Sequence, residues 1–354
     1  MAPRFAIAVL SAVAAAVVLV VGGGGSAAPP AAGARVSPPL LAFTARTRNA
    51  PNGAVFALRR NGTVAPLGNG PGRVVSWSPD GRELLVVRPT FDTGGGEELD
   101  AFDPARQRSR SLWQATTITD AAWSPDGRYI AVAWDGKVSV LGRNGEVVRA
   151  LGEQVPAGSA ADGGLAWTAD GSRLAVTYAT PGGSGIAIEQ PRGVLPRIMS
   201  PCGRERPCHE VSAPDWAPGS NALVMVRRDG AKGSAWWWTG HGPPQPLPAG
   251  GLPDSVRSAM WAPDGHRLAI STAEGLFLLR GPDARAVRIT ATQPLAGPAW
   301  SADGRLLAIV TRSATGGPDV LDVLAPDAGS GPARLQTSTV FDRIAGPLVW
   351  NPAG

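Results

Sequence analysis

Short apolar runs return along the chain at a regular interval: Leu84–Val87, Ile130–Ala133, Leu174–Thr177, Leu223–Val226, Leu268–Ser271 and Leu307–Val310. Each is rich in Leu, Val, Ile and Ala, does not alternate with polar residues, and is bounded by Gly, Pro or charge, so it predicts a strand buried on both faces. Two or three residues upstream of each run stands a polar turn introduced by tryptophan. The clearest copies are Trp77-Ser78-Pro79-Asp80-Gly81 and Trp123-Ser124-Pro125-Asp126-Gly127, and looser ones begin at Trp167, Trp216, Trp261, Trp300 and Trp350. Pro presets φ in such a turn, Asp suits the position after it, and Gly takes the positive φ that closes a hairpin. Residues before each Trp, such as Val74–Ser76 and Ser258–Met260, supply the strand entering the turn.

A second hairpin follows in most units. Lys137–Leu141 and Glu146–Val148 flank Asn144-Gly145, and Val55–Leu58 and Thr63-Val64 flank Asn61-Gly62. Asn-Gly between apolar stretches is the strongest short-range hairpin signal. Each unit of about 45 residues therefore holds four short antiparallel strands, which is a propeller blade. The termini set the number of blades. Trp350 has no strand after it, while Leu40–Phe43 is a second-strand run with no Trp motif before it. Joining residues 345–350 to residues 40–68 completes one blade and removes a free sheet edge. The expectation is an all-β, seven-bladed β-propeller over residues 40–354, closed by a blade shared between the two ends.

The repeat Trp-(Ser/Ala)-Pro-Asp-Gly-Arg-x-(Leu/Ile)-Ala-Val resembles the WD-like repeat of TolB-type β-propellers, in register over roughly residues 40–354. The resemblance implies an extracytoplasmic, protein-binding propeller. TolB has six blades behind a separate α/β domain, whereas this chain reads as seven blades with no room for that domain, so the resemblance does not extend to a Tol-system partner.

The N-terminus and cysteines bear on compartment. Arg4 precedes the apolar run Phe5–Val21, and Gly22–Ala28 supplies small residues. That is the layout of a secretory signal peptide over residues 1–28, or of an uncleaved membrane anchor. No Cys near the cleavage region would serve a lipoprotein anchor. Residues 29–39, rich in Ala and Pro, read as a flexible linker. The expected location is extracytoplasmic: secreted, periplasmic or associated with the cell envelope. In that setting Cys202 and Cys208 read as a disulfide stapling a small loop, the alternative being a metal site with His209. The net charge of +5 is scattered without a basic run, which argues against nucleic-acid binding.

No constellation for nucleophilic catalysis stands out, and no cofactor or metal is expected. The carboxylates Asp80, Asp126, Asp170, Asp264 and Asp303 belong to the repeated turn, and the repeat tryptophans Trp77, Trp123, Trp167, Trp216, Trp261, Trp300 and Trp350 read as fillers of the wedge between blades. Trp236-Trp237-Trp238 reads as packing between blades, or as an aromatic platform for a glycan or peptide. His209, His241 and His266 fall in different blades and loops.

Strand alternation puts the Trp-motif turns on one face and the connections of varied length on the other. Arg46, Arg88, Arg227, Arg228 and Arg312 start or border those variable loops, and Arg204 and Arg206 lie between the cysteines. These seven arginines are the candidate partner-binding residues, for an acidic protein surface or an anionic envelope polymer. The functional expectation is an exported, monomeric, non-enzymatic scaffold. The alternative is a propeller lyase or glycan hydrolase with its site at the channel mouth, drawing on loop acids such as Asp92, Glu97, Glu98 and Asp319.

Overall fold

The computed structural model describes residues 39–91, 94–151, 160–180, 183–190, 197–199, 210–313, 317–327 and 333–354. These form seven four-stranded antiparallel sheets, each meandering from an inner to an outer strand. Blade 1 spans residues 73–115, blade 2 residues 118–151, blade 3 residues 160–199, blade 4 residues 210–246, blade 5 residues 256–290 and blade 6 residues 296–341. Blade 7 is composite: its inner strand, Arg343–Trp350, pairs with Pro39–Thr47, followed by Ala50–Arg59 and Val64–Pro71. The closing register matches Leu41 with Trp350 and Arg46 with Arg343, so the last strand of the chain is hydrogen-bonded to the first. The expected closure and blade number are both present.

Among the described residues the core is divided between the blades and is not central. The buried apolar residues fall into seven clusters, one at each junction between neighbouring blades. Leu84 and Val86 enter the cluster shared with blade 7, while Leu85 and Val87 enter the one shared with blade 2. Successive side chains of a strand point to opposite faces, and here both faces meet another sheet. That is why the second strand of each blade reads as an unbroken apolar run.

The seven repeat tryptophans sit in these wedges, with Trp77, Trp123, Trp167, Trp216, Trp261 and Trp300 closing the inner strands of blades 1 to 6 and Trp350 that of blade 7. Five donate their indole N–H to the carbonyl just before the Trp of the preceding blade. Trp77 bonds Val349 at 3.1 Å, Trp167 bonds Ala122 at 3.2 Å, Trp216 bonds Ala166 at 3.0 Å, Trp300 bonds Met260 at 3.2 Å and Trp350 bonds Ala299 at 2.8 Å. The indole N–H groups of Trp123 and Trp261 are buried with no acceptor.

The motif turn is one hydrogen-bonded unit. In blade 1 the Gly81 N–H donates to the Ser78 carbonyl at 2.8 Å, Ser78 Oγ donates to Asp80 Oδ1 at 2.6 Å, and Asp80 Oδ1 also accepts from the Arg82 N–H. Blades 2, 3 and 6 repeat this around Asp126, Asp170 and Asp303. Hydrogen bonds from the Thr168 hydroxyl and from the backbone and hydroxyl of Ser172 pull the Asp170 carboxyl down to about 2. In blade 5, where Ala262 replaces the hydroxyl residue, Asp264 instead holds Arg267 at 2.6 Å. Gly81 has φ of 67°, and a Cβ there would strike the Asn351 side chain of the closing blade, so both backbone and space demand glycine.

Candidate functional site

The inner strands ring the channel with one edge paired within the blade and the other facing inward. Their inward N–H and C=O groups need partners, because an unpaired buried backbone group is costly. Side chains of the preceding blade supply them at every junction. Thr44 Oγ1 accepts from the Val74 N–H (2.9 Å), Glu97 Oε2 from Ile118 (2.6 Å), Asp120 Oδ2 from Leu165 (2.9 Å) and Ser184 Oγ from Val211 (2.5 Å). Asp215 Oδ2 accepts from Trp261 (2.6 Å) and Asp319 Oδ2 from Ile344 (2.9 Å). Between blades 5 and 6 the polarity reverses, and Ser258 Oγ donates to the Gly297 carbonyl at 2.9 Å. Arg73 reinforces the junction of blades 1 and 2 by donating to the carbonyls of Ile118 and Thr119.

A cavity of about 380 Å³ opens on the channel, lined by inner-strand residues of blades 3 to 7 including Trp167, Asp215, Ser258, Met260, Pro298 and Leu348. Among the described residues Asp215 is the one ionisable side chain in that lining. Burial pushes its carboxyl up to about 7, against the backbone N–H groups of Trp261 and Trp216, which favour the ionised form. Burial likewise raises Asp120, opposed by the N–H groups of Leu165 and Ala121. Both carboxylates are thus committed to the backbone of the ring.

The loop acids are similarly committed. Glu97 caps Ile118, Glu98 accepts from Gln114, and Asp319 binds Ile344 as well as Arg312 (3.3 Å) and Arg343 (3.5 Å). Asp92 lies outside the described residues. His241 and His266 are exposed, and His209 is not described. Among the described residues no three His, Cys, Asp or Glu side chains group as metal ligands.

The candidate arginines divide into two sets. Arg88 is half-buried, pairing with Asp100 at 3.1 Å and donating to the Pro71 carbonyl. Arg312 is tied to Asp319. Arg227 pairs with Asp229 at 2.7 Å and lies over the Trp236 ring, 5.2 Å from its centre. Arg46, by contrast, is exposed at the rim of blade 7, two residues from the equally exposed Arg48. Arg228 faces blade 5, where Lys232 and Arg257 join it around a second cavity. Arg204, Arg206, Cys202 and Cys208 lie outside the described residues.

The tryptophan triplet is divided by its strand. Trp236 and Trp238 pack toward blade 3, and Trp237 packs against the cluster shared with blade 5. Sequence reasoning did not single out Lys232, Arg257, Asp120, Asp215 or Arg343. All lie on strands or strand ends, whereas attention went to loop arginines and motif carboxylates. One signal was in reach: a carboxylate within an inner strand, as at Asp120 and Asp215, is costly to bury without a partner.

A family model for the WD domain, G-beta repeat, matches residues 108–140, which run from the outer strand of blade 1 into blade 2. No curated protein sequence matches the chain. Among solved structures, TolB from Acinetobacter baumannii is similar over 88% of this chain and 66% of its own, at 13% identity and a TM-score of 0.56. The chain thus spans just under two thirds of that protein. The β-propeller domain of the Trilobed protease from Pyrococcus furiosus is similar over 87% of this chain and 94% of its own (14% identity, TM-score 0.60). Oligogalacturonate lyase from Vibrio parahaemolyticus matches 85% of this chain and 86% of its own (11% identity, TM-score 0.59). The fold is therefore shared by TolB, by the propeller domain of a protease and by a lyase. The chain is a seven-bladed β-propeller of WD-like repeats, similar in fold to the TolB propeller.

Proposed function

We propose that the protein is an exported, non-enzymatic propeller that binds a protein or an anionic envelope polymer through its loop face. The observation that carries this reading is the distribution of exposed cations. Arg46 and Arg48 on blade 7, and Lys232 and Arg257 on blades 4 and 5, stand exposed at connections that differ from blade to blade. The motif face instead repeats one self-satisfied turn in blades 1, 2, 3 and 6. A rigid ring that varies on one face binds through that face, and clustered cations draw an acidic partner. The N-terminal apolar run supports export to the envelope. The test is capture from envelope extract by the wild type and by the double variant Arg46→Glu/Arg48→Glu. Loss of the captured material at unchanged melting temperature is expected, and an identical captured set would overturn the reading.

A second reading, a channel-mouth enzyme, is favoured by one observation: Asp215 borders a cavity with its pKa near 7, where a general acid works best. It lacks a second ionisable group in the same lining, and glycan hydrolysis uses a pair of carboxylates. Turnover of acidic polysaccharides by the wild type that is abolished in Asp215→Asn would establish this alternative.

A further inference from the structure

Between the loop ends of blades 4 and 5 lies a cavity of about 460 Å³. Among the described residues its walls carry three cations and no carboxylate: Arg228 and Lys232 from blade 4, and Arg257 from blade 5. The cations are held by weak or neutral partners. The Gln293 amide oxygen, in the orientation its neighbours favour, accepts from both Arg257 Nη atoms at 2.5 and 2.9 Å. Arg228 donates to the Arg257 carbonyl at 3.4 Å and meets Glu210 only at 4.0 Å. The closest acid in sequence, Asp229, is engaged with Arg227.

Two polar groups here are buried without any partner: the Ser255 hydroxyl, on the cavity wall, and Arg228 Nε. Buried donors of this kind are costly unless something accepts from them. The cavity also exists by close approach. The Gly233 N–H donates to the Asp254 carbonyl at 3.0 Å, and a Cβ on Gly233 would fall 1.9 Å from the Val256 carbonyl oxygen. Glycine therefore lets the two blades meet and holds the three cations around one space.

We propose that this cavity binds a phosphate group, resting on the reading of the loop face as the binding face. Two guanidinium forks, an ammonium and a hydroxyl offer more donors than the two oxygens of a carboxylate accept. A phosphate with three free oxygens and up to two charges satisfies them better. The group can belong to free phosphate or to a phosphorylated sugar.

The test is calorimetric titration of the full chain with inorganic phosphate, glucose 1-phosphate, glucuronate and glucose. Both phosphates are expected to bind, glucuronate about tenfold more weakly and glucose not at all. Tighter binding of glucose 1-phosphate than of inorganic phosphate would identify a phosphorylated sugar as the source, and the reverse order free phosphate. Lys232→Glu is expected to weaken phosphate binding at least tenfold, and Ser255→Ala severalfold, with His266→Ala, exposed on the motif face of blade 5, as a folded control that leaves it intact. No heat with either phosphate, equal binding of glucuronate, or binding untouched by Lys232→Glu would overturn the proposal. The last variant also separates the two readings: loss of phosphate binding with envelope capture retained would confine the partner to blade 7, whereas phosphate binding without any capture would refute only the broader scaffold reading.

Discussion

At the motif face the turn of blade 1 and the turn of blade 2 are interchangeable: Ser78 and Ser124, Asp80 and Asp126, Gly81 and Gly127 make the same bonds, the serine hydroxyl reaching the aspartate at 2.6 Å in both. Along the inner ring no two neighbouring junctions are alike. Thr44, Glu97, Asp120, Ser184, Asp215, Ser258 and Asp319 each tie one blade to the next, from different strands and at different depths. Both regions solve the same problem, the satisfaction of backbone groups. The turn solves it within five or six consecutive residues, so its solution can be copied with the repeat. The ring solves it across a junction, where any side chain that reaches will serve. Such a device drifts freely in identity while its task stays fixed.

The largest effect expected from breaking the repeated part is at its tryptophan. Trp123 is 6% exposed, fills the wedge between blades 1 and 2, and carries the Arg143 guanidinium 5.3 Å from its ring centre. Trp123→Ala should lower stability by about 3–5 kcal/mol through cavity formation. Denaturant unfolding checks this, and an unchanged midpoint would mean the wedge is not where the ring is held.

The ring's own chemistry shows in pH dependence. Asp215 titrates near 7 in the folded protein against 3.8 ordinarily, so between those values the folded state holds a proton that the unfolded chain has released. Its contribution is present in full below pH ~4 and is lost as pH rises through about 7, by at most about 4 kcal/mol at ~1.36 kcal/mol per unit. Asp215→Asn should flatten the fall in stability across that range, because an amide oxygen still accepts from the Trp261 N–H without a charge to desolvate. A slope identical to wild type would remove Asp215 from the account. The hydroxyl clasps Thr44, Ser184 and Ser258 cannot contribute such a slope, since hydroxyls do not titrate there, whereas Asp120, also raised by burial, adds to it in the same sense.

This difference explains what was legible in the sequence. Seven blades, their closure through Trp350 and Leu41, and the buried second strands follow from local patterns repeated in register. The clasps do not, because Asp120 and Asp215 stand three and one residues before their tryptophans and share no register. The phosphate cavity escaped for the same reason. Arg228 drew notice as a loop arginine, but Lys232, Ser255 and Arg257 become its neighbours only when Gly233 lets blade 5 approach. Arg88 and Arg312 looked equivalent to Arg46 in sequence, yet each faces a carboxylate, Asp100 or Asp319, that strand pairing delivers.

The smallest effect sharpens the comparison most, because it separates the two regions within one residue type. Trp77 and Trp261 are equally buried at 6% exposure and occupy the same place in their blades. Trp77 donates to the Val349 carbonyl, while the indole N–H of Trp261 is buried without an acceptor. Replacing either by Phe removes the same ring volume, so the cavity cost largely cancels between the two variants. What remains is the hydrogen bond: Trp77→Phe breaks one, whereas Trp261→Phe deletes a buried donor that had no partner. Trp77→Phe should therefore be the more destabilising by about 1–3 kcal/mol. Equal losses would mean that the tryptophans act by volume alone, and that the indole bonds running around the ring add nothing to its closure.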